Sequence, residues 1–160
     1  MLPKHWGSAE SQFKDAVFGK THKPPWFVNI EKASAVMDVR GIDWIAYIWH
    51  RQHPKPIRVP IQIKGSAEGV KDYYKRYPDA HRAGVIVLVV QRTDSPVYII
   101  DRLVEKLHEV RQKETVDFSE YLKKISTRPL RRYESLIIAK MAQRHKDLSP
   151  EKQLGATPAE

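Results

Sequence analysis

Apolar residues at helical spacing open the chain. Ala9, Phe13, Ala16 and Val17 recur three and four positions apart, and Gly19 follows them. That spacing predicts a helix over residues 9–18, with Ser8 as its N-cap. The breaker His22-Lys23-Pro24-Pro25 comes next. The stretch WFVNIEKAS (26–34), rich in aromatic and β-branched residues, predicts a strand. A second strand is predicted over 36–39 and again over 42–49, with Arg40-Gly41 as a bend or bulge. In IDWIAYIW both faces are apolar, the mark of a central strand covered on both sides. HRQHPKP (50–56) is a loop, and IRVPIQIK (57–64) a third strand. Pro60 has no N–H to give to a ladder, so this strand needs an edge or a bulge near its start.

Ser66 can cap a helix over 67–77, whose apolar side is Val70, Tyr73, Tyr74 and Tyr77 and which Pro78 closes. The unbroken apolar run AGVIVLVV (83–90) is a buried strand. VYII (97–100) reads as one more short strand, after which Asp101 caps a helix carrying Leu103, Val104, Leu107 and Val110. Asp117 caps a short helix, FSEYLKKI, and a last amphipathic helix runs from Arg131 to about His145. No internal repeat or linker interrupts residues 1–148, which therefore form one domain; residues 149–160 are expected to be a flexible tail. Three strands in a row imply hairpin connections, and the helix before the fourth implies a crossover. The expected fold class is α/β, a central mixed sheet flanked by helices, with extra C-terminal helices.

Composition narrows the partners. The chain has 160 residues, with 28 Lys and Arg against 19 Asp and Glu, a formal charge of +9. Such an excess favours polyanions, nucleic acid ahead of membranes. No cysteine is present, which excludes disulfides and thiolate metal sites and fits a reducing compartment. The first residues lack the apolar segment of a secretory signal, and the longest apolar run, Val85 to Val90, is far too short to span a bilayer. A soluble cytoplasmic protein that does not enter membranes is expected.

Three polar residues stand out against this apolar background. Asp43 lies near the start of an otherwise apolar strand, where a carboxylate is costly unless hydrogen-bonded, paired or bound to a metal. Gln62 and Lys64 alternate with Ile61 and Ile63, so both project to one face at a strand's end. Counted from the centre of the loop near Gln52-His53, a hairpin register brings Asp43 opposite Gln62. Asp43, the Gln62 amide oxygen and the main-chain carbonyl of Ile63 could hold Mg2+, with Mn2+ as a substitute, since both take oxygen ligands. Lys64 would add a cation beside a phosphate.

With GID (41–43) followed by IQIK (61–64), the chain resembles the PD-(D/E)xK nuclease superfamily, which includes restriction endonucleases and junction resolvases. The likeness covers the order helix, three strands, helix, strand, through residue 90. It implies a restriction-endonuclease-like fold in which Asp43 is a metal ligand, Gln62 stands at the second acidic position and Lys64 is the motif lysine. Two departures are visible: Ile42 stands where the motif has proline, and Gln62 removes one negative charge. Many such proteins bring a glutamate from the first helix to the metal. Here the candidate is Glu10, which shares a face with Phe13 and Val17 but could equally pair with Lys14 at i+4. Glu31 and Asp38 are alternatives. The expected activity is Mg-dependent endonucleolytic hydrolysis of phosphodiesters, in DNA before RNA, by an enzyme of a class that often dimerises. The alternative is a non-catalytic nucleic-acid- or partner-binding module of the same fold. Lys20, Lys23, Lys71, Lys75, Arg76 and Arg82 are candidate phosphate contacts. His50 and His53 lack the further ligands that zinc needs, and Trp44 and Trp49 read as core residues.

Overall fold

The computed structural model describes residues 8–147. Its elements are α1 (Ser8–Phe18), β1 (Phe27–Lys32), α2 (Ala35–Val39), β2 (Trp44–Ile48), β3 (Ile57–Lys64), α3 (Ala67–Arg76), α4 (Pro78–Ala83), β4 (Ile86–Val89), α5 (Pro96–Gln112), α6 (Ser119–Thr127) and α7 (Arg132–Asp147). The four strands form one mixed sheet in the order β1-β2-β3-β4. The first three are antiparallel neighbours, and β4 runs parallel to β3 after the crossover through α3 and α4. The fold is thus α/β with helices flanking a mixed sheet, as the element order predicts. Among the described residues no helix is long and apolar enough to cross a membrane.

Successive strand residues face opposite sides, yet β2 is buried at every position except the half-buried Tyr47, and β3 from Val59 to Ile63 is buried throughout. Both faces of the central strands are therefore covered. Phe13, Ala16 and Val17 bring α1 into the core; Ile99, Leu103, Leu107 and Val110 bring in α5. α1 packs on α5 and β3, and α3 on β3 and β4. Pro60 lies opposite Ile45, one residue before pairing with β4 begins at Ile61. At that point β3 has a neighbour on one side only, where a residue without an N–H is tolerated.

The boundaries differ from the sequence reading in several places, among them residues 78–83, where Pro78 starts the short helix α4 and the strand expected from Ala83 begins only at Ile86. Residues 36–39 belong to helix α2, not to a strand. Ser34 accepts a hydrogen bond from the Met37 amide (3.3 Å), and the chain leaves the helix through Gly41 at φ +92°. An added Cβ on Gly41 would lie 2.9 Å from the Tyr73 ring, so the position is closed to other residues twice over. VYII is the start of α5, not a strand, because Ser95 caps it (3.2 Å from the Tyr98 amide) and Pro96 holds its first position. Asp101 then falls within that helix. At α6, Phe118 rather than Asp117 is the capping residue, while the Asp117 carboxylate accepts from the Ser119 amide (2.9 Å). Trp44 is buried as expected, but Trp49 is 45% exposed and is not a core residue. The expected tail, 149–160, lies outside the described residues.

The last helix is fastened by an ion pair. Arg40 and Glu134 are 2% and 1% exposed, and Arg40 Nε donates to Glu134 Oε2 at 2.9 Å. The Arg40 guanidinium also reaches the carbonyls of Ile125, Arg128 (2.9 Å) and Pro129 (3.1 Å). The clamp joins α2 to both α6 and α7.

Candidate functional site

A cleft of about 1150 Å³ opens where β2 begins and β3 ends. Ala9 and Glu10 of α1, Asp38, Asp43, and Gln62 to Gly65 line one part of it; Arg76, Tyr77, Arg92 and the α7 residues Ile137, Lys140, Met141 and Arg144 line the rest. The carboxyl end of a strand in such a sheet is a frequent ligand site.

Asp43 is set by the ladder on both sides. Its carbonyl accepts from the Ala33 amide and its amide donates to the Ile61 carbonyl, both at 2.9 Å. Its Oδ2 accepts from the Ile63 amide at 2.9 Å, so the side chain is tied to the strand that carries Gln62 and Lys64. Behind it, Tyr73 donates its hydroxyl proton to the Gly41 carbonyl at 2.8 Å, fixing the turn that leads into β2. Asp43 is 7% exposed. Burial pushes its carboxyl up from 3.8 to about 7; the Glu10 and Asp38 carboxylates push the same way, and the Ile63 amide and Lys32 push against them.

Gln62 is also 7% exposed, and its Oε1 is buried without a hydrogen-bond partner. A buried, unpaired carbonyl oxygen costs about 1–3 kcal/mol, so this oxygen at the floor of the cleft is open to an ordered water or a cation. Lys64 lies at the rim with Nζ 5.7 Å from the centre of the Tyr73 ring. Among the described residues no acid pairs with it. Glu10 does border the cleft, but its partner is Lys32, not Lys14. Asp38 lies 3.6 Å from the same lysine. Glu31 accepts from the Tyr47 hydroxyl and takes no part in the cleft.

Among the described residues no three His, Asp or Glu side chains converge closely enough to hold a metal. The donor set Asp43, Gln62 Oε1 and the Ile63 carbonyl is made of hard oxygens, and the unpartnered Oε1 fits a hard divalent cation. His50 lies in the expected loop but is buried, with Nε2 2.9 Å from the Lys113 carbonyl.

Of the six basic residues expected to contact phosphates, Arg76 alone lines the cleft. Lys71 and Lys75 are exposed on α3, Lys20 is exposed beyond α1, and Lys23 approaches the Thr21 carbonyl (3.5 Å). Arg82 is paired with Asp79. Arg92, Lys140 and Arg144 were not legible as cleft residues; Lys140 and Arg144 reach it through the docking of α7. Lys32 of β1 does not line the cleft but pairs with two acids that do, Glu10 and Asp38. In comparisons with known proteins, no family model matched the chain, and no curated protein or solved structure matched it.

Proposed function

We propose that the chain is a metal-dependent phosphodiesterase of the restriction-endonuclease-like class, acting on nucleic acid and on DNA before RNA. The carrying observation is the buried, unpartnered Gln62 Oε1 beside the Asp43 carboxylate, which is tethered to Ile63 at 2.9 Å. The element order and the IQIK strand end support the same reading. Asp43, Gln62 and the Ile63 carbonyl would hold Mg2+ or Mn2+. When bound, such an ion supplies Lewis-acid stabilisation of a phosphoryl oxygen and activates water. Asp43 brings negative charge to the cation, and the hydrogen bond from Ile63 orients its carboxylate. Lys64 offers its ammonium to the phosphate or to the attacking water as charge builds. Arg76 and Lys140 draw the polyanion into the cleft.

The test is incubation of the full chain with supercoiled, linear, branched and single-stranded DNA and with RNA, with and without Mg2+ or Mn2+. Metal-dependent cleavage is expected, reduced at least about 100-fold by Asp43→Ala and by Lys64→Ala. Cleavage that survives both substitutions would overturn the site.

A second reading is a non-catalytic binding module of the same fold. Two observations favour it: a neutral Gln62 at the floor of the cleft, and Glu10 engaged by Lys32. Calorimetry with Mn2+ separates the two. Nucleic-acid binding without any Asp43-dependent heat of metal binding selects the module.

A further inference from the structure

Lys32 is a cation already seated among the acids of the cleft. It sits at the end of β1, opposite Trp44, and its Nζ bonds the Glu10 carboxylate and lies 3.6 Å from Asp38 Oδ2. The same Nζ is 5.4 Å from the centre of the Trp44 ring, a cation–π contact that keeps the stem over the sheet. Burial works against its charge; the carboxylates of Glu10, Asp38 and Asp43 outweigh it and raise its pKa. Two carboxylates, Glu10 and Asp38, therefore share one ammonium that does not pair with Asp43, while Gln62 Oε1 has no donor.

Given the divalent-cation site proposed above, we propose that Lys32 is a built-in competitor for it, an ammonium that holds Glu10 and Asp38 and must be displaced before Glu10 can join a bound ion. The chemistry is exchange of one cation for another at shared oxygen ligands. A point-charge ammonium with three donors suits two carboxylates, yet it cannot reach Asp43 and Gln62 as well. A dication held by Asp43, Gln62 Oε1 and the Ile63 carbonyl could add Glu10 as a second charged ligand once Lys32 moves away. Lys32 is 44% exposed and Glu10 35%, so the side chain has a path into solvent and their pair is weak enough to exchange. Lys32 thus sets the metal concentration at which the site fills, and it is a positioning residue, not a catalytic one.

The experiment is calorimetric titration of the full chain with Mn2+, comparing wild type with Lys32→Met, Lys32→Gln and Lys32→Arg, each checked for folding by thermal melt. Removal of one exposed ion pair predicts Mn2+ binding about fivefold tighter in the Met and Gln variants, with Arg close to wild type. Adding Glu10→Gln to Lys32→Met should cancel the gain, because Glu10 is the ligand that was released; a merely structural lysine would not produce that reversal. Equal or weaker Mn2+ binding by folded Met and Gln variants, with wild type binding, overturns the role of Lys32 and leaves the cation site standing. Absence of binding in all variants overturns the cation site itself.

Discussion

Asp43 and Gln62 each place an oxygen where folding removes it from water without full repayment. For Asp43 the consequence has a sign. Its folded pKa, about 7, lies above the ordinary 3.8, so the folded chain binds the proton more tightly than the unfolded chain. The stabilisation is complete below the unfolded value and is lost as pH rises through about 7. Asp43→Asn keeps an oxygen for the Ile63 amide and discards the charge. It should melt higher than wild type by about 5 °C at pH 8, with the gap closing toward pH 4, while Mn2+ binding and cleavage disappear. Melting curves across pH measure this, and a gap independent of pH would refute the account. Gln62→Met tests the neighbour. Removing the orphan oxygen at similar volume should add about 1 kcal/mol to stability and weaken Mn2+ binding, as read by denaturant unfolding and calorimetry. Residues that lower stability while serving a cleft are found at functional sites, where the fold is strained for another purpose.

At the scale of elements, α7 is the wall of the cleft, and the clamp between Arg40 and Glu134 holds it. The Arg40 guanidinium bonded to Glu134 holds that carboxyl down to about 2, against the opposing effect of burial. The sign is opposite to that of Asp43. A lowered folded pKa stabilises above the unfolded 4.5 and is lost as pH falls toward 2. Glu134→Ala leaves Arg40 buried without its counter-charge, a loss of about 3–5 kcal/mol. Hydrogen exchange should then show α6 and α7 losing protection while the strands keep theirs. Uniform loss over the whole chain would mean that the clamp belongs to the global fold instead. This pair also marks what could be read in advance. Strands β1, β2 and β3, the crossover helix and the pairing of Asp43 with the Gln62 region follow from residue alternation and loop symmetry, which are local quantities. Arg40 and Glu134 stand 94 residues apart, and Lys32 and Glu10 22 apart, so no periodicity connects them. In residues 36–39 and 97–100 the β-branched side chains suggest strands. Capping by Ser34 and Ser95, and Pro96 at a first helical turn, outweighed that preference.

At the scale of the molecule, a formal charge of +9 is divided unevenly: carboxylates and an orphan amide oxygen lie at the floor of the cleft, cations along its walls. Under the proposed function, a polyanion entering the cleft would have its phosphates near Arg76 and Lys140 as well as near Asp43 and Lys64. If it binds there, each wall cation neutralises a phosphate and releases counterions. The slope of log affinity against log salt then falls by about 0.9 for each such residue removed on duplex DNA and about 0.7 on single strands. Lys140→Ala and Arg76→Ala should each lower the slope by that amount, and the double variant by about twice it. Lys71→Ala and Lys75→Ala, on the exposed side of α3, should leave it nearly unchanged. Fluorescence anisotropy with labelled duplex and single strands in EDTA, at several salt concentrations, reads the slopes without cleavage. A larger change from Lys71 and Lys75 than from Arg76 and Lys140 would place the nucleic acid across α3 and away from Asp43. The cleft would then have to serve some other phosphate. The ratio of the two slope changes, more than affinity itself, decides whether the basic surface and the acidic floor act on one ligand.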